Sequence, residues 1–157
     1  MWNLFRKERP PKYPSETRTS VLEGKRNGRP LFARRNDSAA ILAKHPEFRY
    51  RAGVAVPLNY TNEHGLPSEN EMQELNVIED SLLDQMEAGE QSILVLVITT
   101  NGMREFVFYT RDSTLVEKVV ERLRTRIKTH KIQAYVTKDP GWEVYETFSH
   151  DSFRSAT

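Results

Sequence analysis

The stretch Ile93-Leu-Val-Leu-Val-Ile-Thr-Thr-Asn101-Gly102-Met-Arg-Glu-Phe-Val-Phe-Tyr-Thr-Arg-Asp112 sets two apolar runs on either side of an Asn-Gly pair. Asn-Gly supplies the left-handed backbone that a two-residue hairpin needs, so the runs are predicted to pair as antiparallel strands. Ile93 to Thr99 is apolar at both alternating sets of positions, which predicts a strand covered on both faces. Arg104 to Thr110 instead alternates Phe106 and Phe108 with Glu105, Val107 and Tyr109. Asp112 or Ser113 then caps a helix whose stripe is Val116, Val119, Val120, Leu123 and Ile127. Arg122, Arg124, Arg126 and Lys128 sit at its end, where positive charge favours the negative pole of the helix dipole.

The flanking sequence continues the alternation of strand and helix. Phe48 to Asn59 puts Phe48, Tyr50, Ala52, Val54, Val56 and Leu58 on one side and Arg49, Arg51, Gly53 and Ala55 on the other. Ser68 and Glu71 have capping-box spacing, and Met72, Leu75, Ile78, Leu82 and Met86 repeat at helical steps before Gly89. A helix is predicted from Ser68 to Glu87. Ile132 to Val136 alternates as a last strand, Lys138-Asp-Pro-Gly141 is turn chemistry, and Trp142, Tyr145 and Phe148 are apolar anchors of a closing segment.

This order predicts an α+β fold, specifically a ferredoxin-like βαββαβ sandwich with an antiparallel sheet and both helices on one face. Val54, Val56, Phe106, Phe108, Ile132, Ala134 and Val136 would face the helices. The opposite face would show Arg49, Arg51, Glu105, Val107, Tyr109, Gln133, Tyr135 and Thr137, and would be bare, covered by an N-terminal hairpin, or buried in a partner. That hairpin is predicted from Thr17 to Glu23 and Pro30 to Arg35 around Asn27-Gly28, followed by a short helix capped by Asn36 or Asp37 and ended at His45-Pro46. The expected organisation is a basic, proline-containing arm over 1–16, one α+β domain over 17–148 (hairpin 17–35, core 48–138), and a frayed tail over 149–157.

Charge is unevenly distributed along the chain. Residues 1–52 carry 13 Lys/Arg against 5 Asp/Glu, whereas residues 53–103 carry 9 Asp/Glu and no Lys or Arg. Two readings follow: neutralisation of the basic segment by the acidic helix, or a basic face for an anionic partner. There is no cysteine, which excludes disulfides and thiolate chemistry and fits a cytoplasmic setting. The longest apolar run, Ile93 to Ile98, falls far short of the roughly 20 residues that cross a bilayer, so no membrane partner is expected.

No nucleophile elbow, phosphate loop or zinc-helix motif occurs, and His45, His64, His130 and His150 all sit beside predicted loops. Neither a metal nor another cofactor is expected, and the chain is read as non-enzymatic. The candidate binding residues are Arg49, Arg51, Glu105, Tyr109 and Tyr135 of the sheet face, with Trp142 and Tyr145 as a pocket lip or as anchors. The leading expectation is a protein-binding or regulatory domain that self-associates through that face. Nucleic acid is the competing partner, with Tyr109 and Tyr135 stacking bases while Arg49 and Arg51 meet phosphate, although an RRM-like aromatic core is missing from Met103 to Tyr109.

Thr100-Asn-Gly-Met-Arg-Glu-Phe-Val-Phe-Tyr109, the amphipathic helix after it, His130-Lys-Ile-Gln133 and Asp139-Pro-Gly-Trp142-Glu-Val-Tyr145 together resemble the bacterial domain-of-unknown-function family numbered 695. The resemblance spans roughly residues 15–148. It implies a ferredoxin-like α/β domain, found alone or beside a domain resembling the regulator of ribonuclease E activity, protein B, and it implies no established activity or site residues.

Overall fold

Two Asn-Gly pairs turn the two hairpins of this chain. Asn27 and Gly28, at φ 53° and 77°, close β1 (Thr19–Arg26) onto β2 (Arg29–Asn36). β3 (Tyr50–Pro57) and α1 (Glu69–Met86) follow, and Asn101 and Gly102, at φ 47° and 75°, then close β4 (Ser92–Thr100) onto β5 (Met103–Thr110). α2 (Leu115–Arg126), β6 (Gln133–Lys138) and the short α3 (Glu143–Thr147) complete the order. The computed structural model describes residues 12–149 and Phe153, and among them all strands join one antiparallel sheet in the order β1-β2-β4-β5-β3-β6. Residues 1–11 of the expected arm and 150–152 and 154–157 of the expected tail lie outside the described residues.

A helix-covered core forms on one face, where α1 supplies Leu75, Ile78, Leu82 and Met86 and α2 supplies Val116, Val119, Val120 and Leu123 against Ala52, Val54, Phe106 and Phe108. A second core lies on the other face. There Leu31, Ala33, Ile93, Ile98, Val107 and Tyr109 of the sheet meet Leu42, Phe48, Trp142, Tyr145 and Phe148. β4 serves both cores, and a bulge between Leu94 and Leu96 adds one residue without exposing an apolar side chain, because both of its faces are apolar.

Three expectations change. The hairpin does not precede a separate βαββαβ sandwich: Leu31–Arg35 of β2 occupy the ladder positions beside Leu96–Thr100 of β4, so the sheet has six strands. The hairpin therefore extends the sheet edgewise, and the second face is covered by the 3-10 segments Asp37–Leu42 and Pro46–Phe48 and by Trp142, Tyr145 and Phe148 around α3. Phe48 leaves the predicted strand because Pro46 opens a 3-10 turn, and its ring is buried in the second core rather than beside Ala52 and Val54. Tyr13 of the expected arm packs on that core, its hydroxyl donating to the Ser92 carbonyl at 2.9 Å.

Candidate functional site

Six of the seven sequence candidates fall into one connected network, and its hub is Asp139. Arg51 projects from β3 and Tyr109 from β5; their Nη1 and hydroxyl donate to Asp139 Oδ2 at 2.9 and 2.7 Å. The Glu143 and Val144 backbone N–H groups donate to the same carboxylate, so Asp139 takes up the first N–H groups of α3, where negative charge is favoured. Burial alone would raise its pKa, but Tyr109, the two N–H groups and Arg51 together hold it below the usual range. On the far side Tyr135, beside Arg51, donates to Glu105 Oε2 at 3.1 Å; burial and the nearby Glu105 push its phenol up to about 12.

The Trp142 ring stacks on Tyr109 at 4.0 Å, meets Tyr145 edge-on at 5.4 Å, and its Nε1 donates to the Phe48 carbonyl at 2.8 Å. Tyr145 donates to the Asn36 carbonyl under the Arg35 guanidinium. Tyr109, Trp142 and Tyr145 are fully buried. Their geometry fastens the C-terminal segment over the sheet and offers no free ring face to a ligand. Arg49 stands apart, exposed above the Tyr50 ring, with only its carbonyl joined to the network through the Asp139 N–H.

A second buried cluster departs from the capping-box expectation. Ser68 does cap α1, accepting from the Glu71 N–H, but the Glu71 carboxylate does not complete a capping box. It accepts from the Asn59 and Tyr60 N–H groups and meets His130 Nε2, each at 2.6 Å. Burial would raise the Glu71 pKa, yet these donors and His130 bring it below the ordinary value. His130, beside a loop as expected, is buried, whereas His64 is exposed beside Glu63. Among the described residues no group of three or more His, Cys, Asp or Glu is placed to hold a metal ion, and no helix is long and apolar enough to cross a membrane.

What the sequence did not single out is the β1–β2 end of the sheet. Among the described residues β1 bonds only β2 and its other edge has no strand partner, and Val21, its third residue, is 68% exposed. On the helix side, α1 and this hairpin enclose a groove that contains Arg34, paired to Glu79 at 2.5 Å, and Arg104. A legible signal existed for Arg104, since it stands two residues before Phe106 and thus puts a cation on the apolar face of β5. On the opposite side of the sheet, a shallow hollow of about 490 Å³ lies beside Arg26, Arg29, Thr100 and Glu105, beyond the reach of the C-terminal cover.

The fold and its two buried clusters define an α+β domain in which the hydrophobic and charged signals of the sequence are spent largely on assembly. Residues 20–149 match the family described as Family of unknown function (DUF695), and the chain belongs to that family. Neither the curated proteins nor the solved structures contain a match.

Proposed function

We propose that this chain acts by binding protein rather than by catalysis, and that its first partner is a second copy of itself joined along β1. The observation that carries this reading is the edge of β1 that no strand pairs among the described residues: eight residues, no proline or bulge, and an exposed Val21. Such an edge presents unpaired N–H and C=O groups to another strand. β6 is the shorter edge, six residues, and its Tyr135 is engaged with Glu105.

A twofold contact pairs β1 antiparallel with itself. With Val21 opposite Val21, Thr19 faces Glu23 and Ser20 faces Leu22 within the strand. No like charges stand opposite each other in that register. Self-association thus moves from the sheet face of Tyr109, which Trp142 covers, to the sheet edge. Within each copy, β3-α1-β4-β5-α2-β6 supplies the ferredoxin-like unit on which the β1–β2 hairpin is mounted.

Sedimentation equilibrium tests the reading. The wild type is expected to dimerise reversibly, and Val21→Lys to weaken the dimer at least tenfold, about 1.4 kcal/mol. A wild-type monomer at every soluble concentration would remove the self-binding proposal.

A further inference from the structure

Arg104 is a buried cation with little compensation. It is 9% exposed, its Nε donates to Thr99 Oγ1 at 2.9 Å, and its Nη2 meets the Met72 sulfur at 3.5 Å, a weak acceptor. Among the described residues no carboxylate forms an ion pair with it, and Nη1 makes no hydrogen bond. Burial of a guanidinium without a carboxylate in contact is unfavourable. Its pKa is lowered by burial; Glu79 opposes that shift, Arg34 adds to it, and Glu71 opposes it.

The guanidinium lines a cavity of about 130 Å³ together with Arg34, Asn76 and Thr99. Arg34 and Val97 also line a second cavity of about 260 Å³, whose walls include Leu83 and Leu94. The two cavities meet at Arg34 and Val97, so the groove holds Arg34 and Arg104 at one end and Leu83 and Leu94 at the other, where Glu87 also stands in the wall, and together they lie near the lower end of the roughly 300–1,000 Å³ range of small-molecule sites. We infer that this groove binds a small amphipathic anion, with a carboxylate or phosphate head between Arg104 and Arg34 and an apolar body along Leu83 and Leu94. Glu79 remains paired with Arg34 at the junction, so the head meets two cations and one carboxylate, a net positive site.

The chemistry is tested with hexanoate, hexyl phosphate, inorganic phosphate and neutral hexanamide, by following backbone amide resonances of the full chain. Hexanoate or hexyl phosphate should shift Met72, Asn76, Thr99 and Arg104 saturably, and whichever binds more tightly identifies the head group. Arg104→Gln should weaken that binding at least tenfold. Asn76→Trp, an exposed position on α1, should block the groove without touching the guanidinium, so a folding defect in the first variant does not decide the matter. Affinity should be the same at protein concentrations below and above the dimer's dissociation range, which separates this site, on whose wall Val21 itself lies, from the β1 dimer. No saturable shift with any of the three anions would overturn the inference. So would binding of hexanamide equal to hexanoate, inorganic phosphate equal to hexyl phosphate, or an unchanged affinity in Asn76→Trp.

Discussion

The two faces of the sheet are both buried, but by different means. The helix face is covered by two regular helices whose apolar stripes repeat at helical steps, and its polar clamp, Glu71 with His130, lies at the rim where α1 begins. The opposite face is covered by 3-10 turns and a five-residue helix, pieces too short to hold themselves. That cover depends on a few large side chains and on one carboxylate, Asp139, that collects donors from β3, β5 and α3. Periodic burial distributes stability over many positions, whereas an aperiodic cover concentrates it in a few.

The largest effect should come from removing the centre of that cover. Trp142 is fully buried at φ 54°, stacked on Tyr109 and bonded to the Phe48 carbonyl. Trp142→Ala is expected to cost about 3–5 kcal/mol in denaturant unfolding. Amide exchange should rise first at Phe48 and residues 139–148, with α1 and α2 still protected. Simultaneous loss of protection in both helices would show that the two cores are not separable in this way.

An intermediate effect distinguishes the two carboxylate clamps by pH. Asp139 and Glu71 both have folded pKa values below their ordinary ones. Between folded and unfolded values the unfolded chain binds more protons, so each contributes stability that is complete above the unfolded pKa of about 4 and is lost as pH falls through the lowered folded value. Asp139→Asn and Glu71→Gln should each lower stability at neutral pH by about 1–3 kcal/mol and flatten the fall in melting temperature below about pH 4. Protection of residues 139–148 should weaken only in Asp139→Asn, and that of Asn59 and Tyr60 only in Glu71→Gln. A melting curve as steep in acid as the wild type's would show that the replaced carboxylate does not govern acid unfolding.

The contrast also explains what could be read from the sequence. Val116, Val119, Val120 and Leu123, or Phe106 and Phe108, report their partners through period alone, and those assignments stand in the structure. The connected candidates Arg51, Glu105, Tyr109 and Tyr135 were found because alternation puts them on one face, but alternation cannot say that a segment some thirty residues beyond Tyr109 returns to cover it. Glu71 fits a capping box locally, and only the distant His130 and the Asn59 and Tyr60 amides give it another role. Asn27-Gly28 announced a hairpin without showing which strand it would lie beside, because both faces and both edges of β4 are compatible with apolar neighbours.

The smallest effect isolates the boundary between the two faces at adjacent residues of β3. Ala52 points into the helix core, while Gly53 lies beneath the Tyr135 ring: a Cβ at Gly53 would stand 2.1 Å from Tyr135 Cε1 and Cζ. Gly53 is therefore required by a close approach rather than by its backbone angles. Tyr135 is only half-buried, so its ring can swing outward at the cost of its bond to Glu105 and its contact with Arg51. Gly53→Ala is expected to destabilise by about 1–2 kcal/mol, and to move the Tyr135 ring resonances toward those of an exposed tyrosine. In a Tyr135→Ala background the obstacle is gone, so the same substitution should be neutral or slightly stabilising through reduced unfolded-state freedom. Ala52→Gly should cost about 1 kcal/mol in either background. An equal penalty for Gly53→Ala with and without the ring would show that the strand backbone, not Tyr135, excludes a side chain there.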